Sequence, residues 1–388
     1  MSLPDLEARA EIVVDLDAIR DNVAALRRRV GDARMMTVVK ADGYGHGLVE
    51  SARAARAGGA DWLGVAVAEE ALALRAAGDT GPLLMWLAVP GEDWTPLLDA
   101  GVDVTATTVS QVDEIAAASR SLGVRARVQL KVDTGLARGG ATEEHWPRLV
   151  EAAADAEQAG ALRVTGIWSH FACSDEPGHP ANDAQEKAFS QALKVVDAVG
   201  LEPEVRHLSN SAGALLRPSA AYDLVRCGIA SYGLSPAPGV ITSAELGLRP
   251  AMTARARLAL VKRVPAGTAV SYGHTWTTDR ETTLGLVPVG YGDGVPRHAS
   301  STAHVLVGGR QRQVAGRVCM DQLVVDLGGD PVAAGDTAVL FGTGEDGGPT
   351  AQDWAEACGT ISYEIVTRIG GRFARRHVPP SQPEQEVS

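Results

Sequence analysis

The sequence predicts a closed (β/α)8 barrel of the TIM type, followed by a second, mostly-β domain. Over residues 34–226, eight short apolar runs alternate with Ala-rich segments of helical periodicity. After about residue 245, apolar and polar residues alternate with a period of two, which is typical of strands. Eight strands that alternate with helices favour a closed barrel over an open sheet. We therefore expect a barrel over 11–240, a β domain over 245–374 and a frayed, charged tail over 375–388.

The predicted elements follow one another along the chain. Residues 11–15 form a strand candidate that could pair with the β domain, and a helix is predicted over 17–30. The apolar residues of that helix share one face: Ile19, Val23, Leu26 and Val30. The eight barrel strands are predicted at MMTVVK ending at Lys40, WLGVAV from Trp62, LLMWLAV from Leu83, VDVTAT from Val102, ARVQLKV ending at Val132, LRVTGIWSH ending at His170, EVRHL ending at Leu208 and DLVRCG from Asp223.

Helices are predicted between these strands, for example over 69–78 and 184–200. The β domain is predicted from runs that alternate in polarity, namely ARARLALVKRV, TTLGLVPVG, AHVLVGG, RQVAGRVCMDQLVVDLG and TAVLFG.

Composition narrows the classes of function. The chain has 388 residues with 36 basic and 48 acidic side chains, and a net charge of -12 disfavours nucleic acid and favours a small-molecule partner. No apolar run approaches the ~18 residues of a membrane span. The four cysteines form no C-x-x-C pair, so we expect neither a metal site nor a disulfide framework. The acidic N-terminal segment does not resemble a secretory signal, and we expect a cytoplasmic protein.

Polar residues accumulate where the predicted barrel strands end. In a barrel of this kind the chemistry lies at the carboxyl ends of the strands. Any one of these residues alone could be an ordinary rim residue in water, but their joint placement at one end predicts a site. They are Lys40, Lys131, Asp133, His170, residues 207–211 and Arg226.

The segment VVKADGYGHG places Lys40 at the end of an apolar strand, followed by three glycines at alternate positions. A lysine that is desolvated or lies beside other cations can lose its proton, and the neutral amine can form a Schiff base with an aldehyde. Glycines let the backbone approach a ligand closely. The competing interpretation is a Gly-rich turn that carries a surface lysine.

Several motifs together resemble those of the alanine racemase family. VVKADGYGHG, LKVDTGLARGG, SNSAG, VRCGIASYG, SYGHTW and GRVCMDQ occur in that order, and the resemblance extends through nearly the whole chain, to SYEI at 362–365. It implies a pyridoxal 5'-phosphate (PLP) enzyme that interconverts L- and D-alanine and supplies D-alanine for peptidoglycan in a bacterium. It also implies a barrel, a β domain and a homodimer whose active sites take residues from both subunits.

The resemblance implies two bases on opposite faces of the substrate. A racemase removes a proton from one face of a planar centre and returns one to the other, which needs two flanking acid/base groups. Lys40 corresponds to the lysine that carries PLP and acts as one base, and Tyr272 to the second base, contributed by the partner subunit. His170 corresponds to the histidine that orients the tyrosine. Arg226 corresponds to the arginine that faces the pyridine nitrogen, supported by His207.

The resemblance also implies binding residues for cofactor and substrate. The cofactor phosphate would be held by Tyr44, Ser211, the backbone of Gly228 and Ile229, and Tyr363. The substrate carboxylate would be contacted by Arg138 and by the backbone N–H of the partner's Met320. Lys131 occupies a position that is carbamylated in many members, and Tyr291 belongs to an aromatic gate with Tyr363.

Two positions differ from the family pattern, and one further motif resembles a nucleotide-binding sequence. Ala137 stands where the family often has glycine, and RFAR stands where a proline is usual. The literal G-x-G-x-x-G at 342–347 lacks a βαβ context and carries two acidic residues, so we interpret it as a surface turn.

Three other functions are alternatives to the one that the resemblance implies. A PLP-dependent decarboxylase would not need Tyr272, and a non-catalytic PLP carrier would not need the β domain. A racemase that also accepts serine stays open.

Overall fold

The computed structural model describes residues 6–378. Its first strand, β1 (Ala10–Asp15), leads directly into helix α1 (Leu16–Arg29). Asp15 caps the helix, because its carboxylate accepts a 3.0 Å hydrogen bond from the Ala18 N–H. The apolar stripe of α1 predicted from the sequence faces the core, with Ile19, Val23 and Leu26 fully buried.

Eight parallel strands form the barrel, which confirms the predicted fold. The strand sheet follows chain order, and its two edges meet where the Arg226 N–H donates to the Ser209 carbonyl at 3.0 Å and the Asp223 N–H to the Arg206 carbonyl at 3.0 Å. The strands are β2 (Arg34–Val38), β3 (Trp62–Val65), β4 (Leu83–Met85), β5 (Asp103–Ala106), β6 (Ala126–Lys131), β7 (Leu162–Trp168), β8 (Val205–His207) and β9 (Leu224–Cys227).

Helices cover the outside of the barrel and bury one face each. In α6 (Val109–Leu122), for example, Val112, Ile115 and Ala116 are buried. Across residues 6–378, no helix has both the length and the apolar character needed to cross a membrane. The short segment α2 (Lys40–Tyr44) is a turn at the end of the barrel, and the helices are α3 (Leu48–Ala57), α4 (Ala68–Ala76), α5 (Thr95–Asp99), α6 (Val109–Leu122), α7 (Trp146–Gln158), α8 (Pro180–Ala198) and α9 (Ser211–Leu216).

The second domain is mostly β, as predicted. It contains a six-stranded sheet in the order β16-β15-β18-β10-β1-β19, a three-stranded sheet in the order β11-β14-β17, and the pair β12-β13. Its elements are β10 (Met252–Arg257), β11 (Leu260–Val264), β12 (Ala269–Val270), β13 (Trp276–Thr277), β14 (Thr282–Val287), β15 (His304–Val307), β16 (Arg310–Gln313), β17 (Leu323–Gly328), β18 (Thr337–Phe341), α10 (Ala351–Cys358), α11 (Ser362–Arg368) and β19 (Ala374–Val378).

The run RQVAGRVCMDQLVVDLG is divided between two strands. Its start belongs to β16 and its end to β17, and the segment between them is a loop that carries Met320. The loop turns because the Tyr291 N–H and the Gly292 N–H donate to the carbonyls of Cys319 and Met320, at 3.0 and 2.8 Å. The alternation of polarity therefore continues through a segment that is not a strand.

Strand β1, which precedes the barrel, belongs to the main sheet of the second domain. Strand β1 lies between β10, to which it is antiparallel, and β19, to which it is parallel. The expectation of a frayed tail is therefore wrong for residues 375–378, and residues 379–388 lie outside the described part of the chain. Long-range partners stabilise the charged strand: Arg375 donates to Asp42 at 2.6 Å, and His377 contacts the His46 carbonyl at 2.8 Å.

Candidate active site

A cavity of about 660 Å³ opens at the carboxyl ends of the barrel strands. Most of the residues singled out in the sequence lie around it, although they are spread over more than 300 positions of the chain. His207 lies one layer deeper, behind Arg226. The singled-out residues that line the cavity are Lys40, Tyr44, Lys131, Arg138, His170, Ser211, Arg226, Gly228, Ile229 and Tyr363.

Lys40 begins a left-handed turn. The four residues that follow it, Ala41 to Tyr44, have φ between 53° and 61°, a conformation that costs a non-glycine residue about 1–2 kcal/mol. Side chains from outside the segment hold it in place. Glu70 accepts the Ala41 N–H at 2.6 Å, and Asp42 accepts both the Leu48 N–H and the Arg375 guanidinium. Strand β19 thus helps to fix the direction in which Lys40 leaves the barrel.

The two lysines of the cavity, Lys40 and Lys131, are largely buried and lie near positively charged side chains. Burial lowers the pKa of Lys40, and the charge of Arg138 lowers it further against the opposing effect of Glu70. Burial, together with Arg226 and Arg138, lowers the pKa of Lys131 to about 8. The Lys131 ammonium also lies 4.5 Å from the centre of the Trp168 ring. Each amine is therefore closer to its neutral, nucleophilic form than a lysine in water.

Arg226 is buried and donates to two histidines. Its Nη1 donates to Nδ1 of His207 at 2.9 Å, and its Nη2 to Nδ1 of His170 at 3.1 Å. Nη2 also reaches the carbonyls of Ser169 and Leu208, at 2.7 and 3.0 Å. Burial lowers the pKa of Arg226 to about 9, so the guanidinium stays protonated near neutral pH. Burial first, and Arg226 second, hold the pKa of each histidine well below its ordinary value, so both rings are neutral acceptors at Nδ1.

Hydroxyl groups and backbone gather at the other end of the cavity. The Gly228 N–H donates to Ser211 Oγ at 2.8 Å, and the Tyr44 ring stacks on Tyr232 with centroids 4.9 Å apart. A Cβ at position 228 would lie 2.2 Å from Tyr44 Oη, so glycine is needed for this close approach. Burial raises the pKa of Tyr44 and of Tyr363, which keeps both phenols protonated as hydrogen-bond donors.

The loop after β6 carries Arg138 to the cavity. Asp133 shapes the loop, because its Oδ1 accepts the N–H groups of Gly135 at 2.9 Å and of Ala137 at 3.1 Å. Ala137 has a φ of 56°, in the left-handed region that favours glycine. The departure noted in the sequence therefore falls on a strained backbone position directly before Arg138.

Three singled-out residues lie outside the cavity, on the β domain. Tyr272, Met320 and Tyr291 have exposed fractions of 70%, 55% and 40%. The segments that carry them are in contact: Ser271 Oγ donates to the Arg317 carbonyl at 2.6 Å, and the Tyr291 N–H donates to the Cys319 carbonyl. The structure therefore groups these three residues on one exposed surface, and they do not line the cavity of their own chain.

Sequence reasoning missed Trp168 and Gln129. Trp168 is buried beside the cavity, 5.0 Å from the Arg226 guanidinium carbon and stacked on the His207 ring. Gln129 is buried below His207 and bonds to it. A signal was present in β6, where Arg127, Gln129 and Lys131 place polar groups at every second position of an otherwise apolar strand.

Comparisons with known proteins agree over both domains. Family models of the alanine racemase N-terminal and C-terminal domains match residues 14–236 and 251–377. A protein named alanine racemase from Frankia casuarinae is 57% identical, over 96% of this chain and 97% of its own length. The solved structure of alanine racemase from D-cycloserine producing Streptomyces lavendulae has a TM-score of 0.96 and 52% identity, covering 97% of this chain and 99% of that one. For alanine racemase from Streptomyces coelicolor A3(2), the TM-score is 0.94 and the identity 56%, with coverages of 96% and 98%.

Proposed function

Because the chain belongs to the alanine racemase family, we propose that it interconverts L- and D-alanine with PLP as its cofactor, in a homodimer whose sites take residues from both subunits. The observation that carries the proposal is the cavity itself. It holds an amine of lowered pKa at the end of one strand, a buried guanidinium on another, and a cluster of hydroxyl groups at its far end.

The residues present fit PLP. Ser211, Tyr44 and Tyr363 would offer hydroxyl groups to the phosphate and Ile229 its backbone N–H, in a cradle that a Cβ at position 228 would fill. Lys40 offers the amine that an aldehyde requires. When bound, PLP withdraws electrons from the substrate α-carbon and so makes its proton removable.

Lys40 serves as the base on one face of the substrate. Lys40 would hold the cofactor through its amine, and the same amine, when free, would take or return the α-proton. The charge of Arg138 and the burial that lower the pKa of Lys40 favour the neutral amine that a base must be. The left-handed turn after Lys40 fixes where the amine enters the cavity.

The base on the other face comes from the second subunit. Tyr44 and Tyr363 line the cavity, but burial raises the pKa of both phenols, which makes them poor bases. Tyr272 is exposed on the β domain, and in a dimer the partner's Tyr272 would enter the cavity. With its Nδ1 accepting from Arg226, His170 carries its proton on Nε2 and can donate to that phenol oxygen.

Arg226 would determine how strongly the cofactor ring withdraws electrons. Among the described residues, its hydrogen bonds use Nη1 and Nη2 and none uses Nε, so that Nε–H would be available to the pyridine nitrogen. Because the Arg226 guanidinium keeps its proton near neutral pH, it would leave a pyridine nitrogen facing it unprotonated. A ring held in this way would be a weaker electron acceptor, which would disfavour side reactions such as transamination.

Arg138 and the partner's Met320 hold the substrate carboxylate. A planar guanidinium suits a carboxylate, and the Met320 backbone lies on the same exposed surface as Tyr272. Tyr363, with the partner's Tyr291, would narrow the entrance, and a tight entrance would favour a methyl side chain over larger ones. Lys131, with its pKa of about 8, can carry a carbamate that pairs with Arg138. In a bacterial cytoplasm the product D-alanine would serve peptidoglycan synthesis.

The test is α-proton exchange in deuterated water, started from each alanine enantiomer. We expect Lys40→Ala to abolish exchange from both. We expect Tyr272→Phe to slow exchange unequally in the two directions, because only one face loses its base. Negligible and equal effects of Tyr272→Phe would remove the phenol from the reaction, and full activity of Lys40→Ala would refute the assignment of the site.

A further inference from the structure

A chain of buried polar side chains runs through the barrel interior from the cavity towards its opposite end. Arg226 donates to His207, and His207 Nε2 lies 2.8 Å from Gln129 Oε1. Gln129 Nε2 donates in turn to Asp103 Oδ2 at 3.2 Å. Gln129 and His207 are fully buried and Asp103 is 1% exposed, so each group has to find its partners within the barrel.

Asp103, at one end of this series of hydrogen bonds, determines which atoms donate and which accept along it. Its Oδ1 accepts the Arg127 Nε–H at 2.6 Å, and its Oδ2 accepts the Thr165 hydroxyl at 2.7 Å, the Arg127 Nη2–H at 3.3 Å and the Gln129 amide. Burial alone would lower the pKa of Arg127, but the hydrogen bonds and charges of Glu204 and Asp103 outweigh it and raise that pKa. The anchor is therefore an acceptor-only carboxylate held by a permanent cation.

This polarity propagates to His207. Because Asp103 accepts, the NH2 group of Gln129 has to face it, and the amide oxygen then faces His207 Nε2. An oxygen at that place requires a proton on Nε2. A neutral ring with its proton on Nε2 has a bare Nδ1, which is the acceptor that Arg226 needs.

The backbone reserves space for the amide. A Cβ at Gly166 on β7 would lie 2.7 Å from the carboxamide carbon of Gln129, so the neighbouring strand leaves room for this side chain and little room for another orientation.

We propose that Asp103 and Gln129 are positioning residues that fix the tautomer of His207, and through it the donation by Arg226 that orients this guanidinium in the cavity. The proposal rests on the proposed function only for the part that Arg226 has in the reaction. The tautomer itself can be measured independently of activity.

The test is 15N NMR of the holoenzyme labelled at histidine, with His207 assigned from a His207→Asn spectrum. In the parent enzyme we expect Nε2 protonated and Nδ1 unprotonated. In Asp103→Asn, the short bond from Arg127 Nε–H at 2.6 Å outweighs the longer one from Nη2–H at 3.3 Å, and the Thr165 hydroxyl keeps a second acceptor in the Val128 carbonyl. The oxygen therefore stays at the Oδ1 position, and the new NH2 group takes the Oδ2 position and faces Gln129. The Gln129 amide then flips, the His207 proton moves to Nδ1, and the hydrogen bond from Arg226 Nη1 to that nitrogen is lost.

A compensating variant separates positioning from simple loss of structure. In Asp103→Asn/Gln129→Glu, the carboxylate at 129 accepts both from the asparagine and from His207 Nε2, so the parental tautomer returns. Glu204→Gln is the matched control, because it disturbs the same Arg127 guanidinium and leaves Asp103 in place. We expect kcat to fall about tenfold in Asp103→Asn, as for the loss of one hydrogen bond to a charged group, and to recover in the double variant.

Each result decides the matter. A parent spectrum with the proton on Nδ1 overturns the proposal even if no variant folds, as does an Asp103→Asn spectrum that matches the parent. A double variant that keeps the inverted tautomer also overturns it. Predicted tautomers in an enzyme without racemase activity would support the positioning role and refute the proposed function.

Discussion

Replacing Gly228 by alanine tests the cradle at the phosphate end of the cavity. The new Cβ would lie 2.2 Å from Tyr44 Oη and 2.9 Å from its Cζ, where atoms in contact are about 3.5 Å apart. Tyr44 cannot yield easily, because it is 8% exposed and stacked on Tyr232. Overpacking of this kind costs about 1–3 kcal/mol.

We expect this cost to fall on cofactor binding, weakening PLP affinity by about 5- to 150-fold. Titration of the apoenzyme with PLP, followed by visible absorbance, measures the affinity. Gly239→Ala is the control, because a Cβ there meets nothing within 4 Å. Tyr44→Phe in the Gly228→Ala background removes the nearest clashing atom, although it also removes one phosphate donor, and should restore packing as judged by thermal unfolding. Parental PLP affinity and an unchanged Tm in Gly228→Ala would refute the reasoning.

Three further predictions concern strain and protonation. Ala137→Gly should raise the free energy of unfolding by up to about 1 kcal/mol, measured by denaturant titration. The reason is that glycine relieves the left-handed backbone strain at this position by more than it adds to the conformational entropy of the unfolded chain. A lower free energy of unfolding would contradict this. Burial lowers the pKa of His46 to about 4, whereas the ring has its ordinary pKa of about 6.5 in the unfolded chain. Between pH 6.5 and 4 the unfolded state therefore binds a proton that the folded state does not bind. Stability should therefore fall by about 3 kcal/mol between pH 6.5 and 4 on account of this ring, and His46→Asn should lose correspondingly less over that window. Limiting acetic anhydride at pH 8 should label Lys131, with its pKa of about 8, ahead of the exposed Lys187, as read by peptide mass spectrometry, and the reverse order would count against the neutral amine.

The barrel was predictable because its signal is local and repeated. Each strand is a short apolar run, and the residue types that end these runs, such as Lys40 and His170, mark the rim wherever the strands are placed. The roles of the site residues stay predictions, but their assembly around one cavity follows from the geometry of a barrel.

Other features were not predictable because they depend on distant partners. Ala41 and Asp42 adopt left-handed conformations that no glycine signals, and the partners that hold them lie on α4 and β19. Strand β19 itself resembles a polar tail in the sequence, since its charged residues find their partners only after folding. The link from Asp103 to Gln129 likewise requires that strands 26 residues apart lie side by side.

The central claim is that one site combines Lys40 of one subunit with Tyr272 of its partner. Lys40→Ala and Tyr272→Phe subunits carrying different tags can be co-expressed, and the heterodimer purified through both tags. One of its two sites is then intact, so we predict about half of the parental kcat per dimer, although each variant homodimer is impaired in both sites. A heterodimer with no more activity than the mean of the two variant homodimers would contradict the claim.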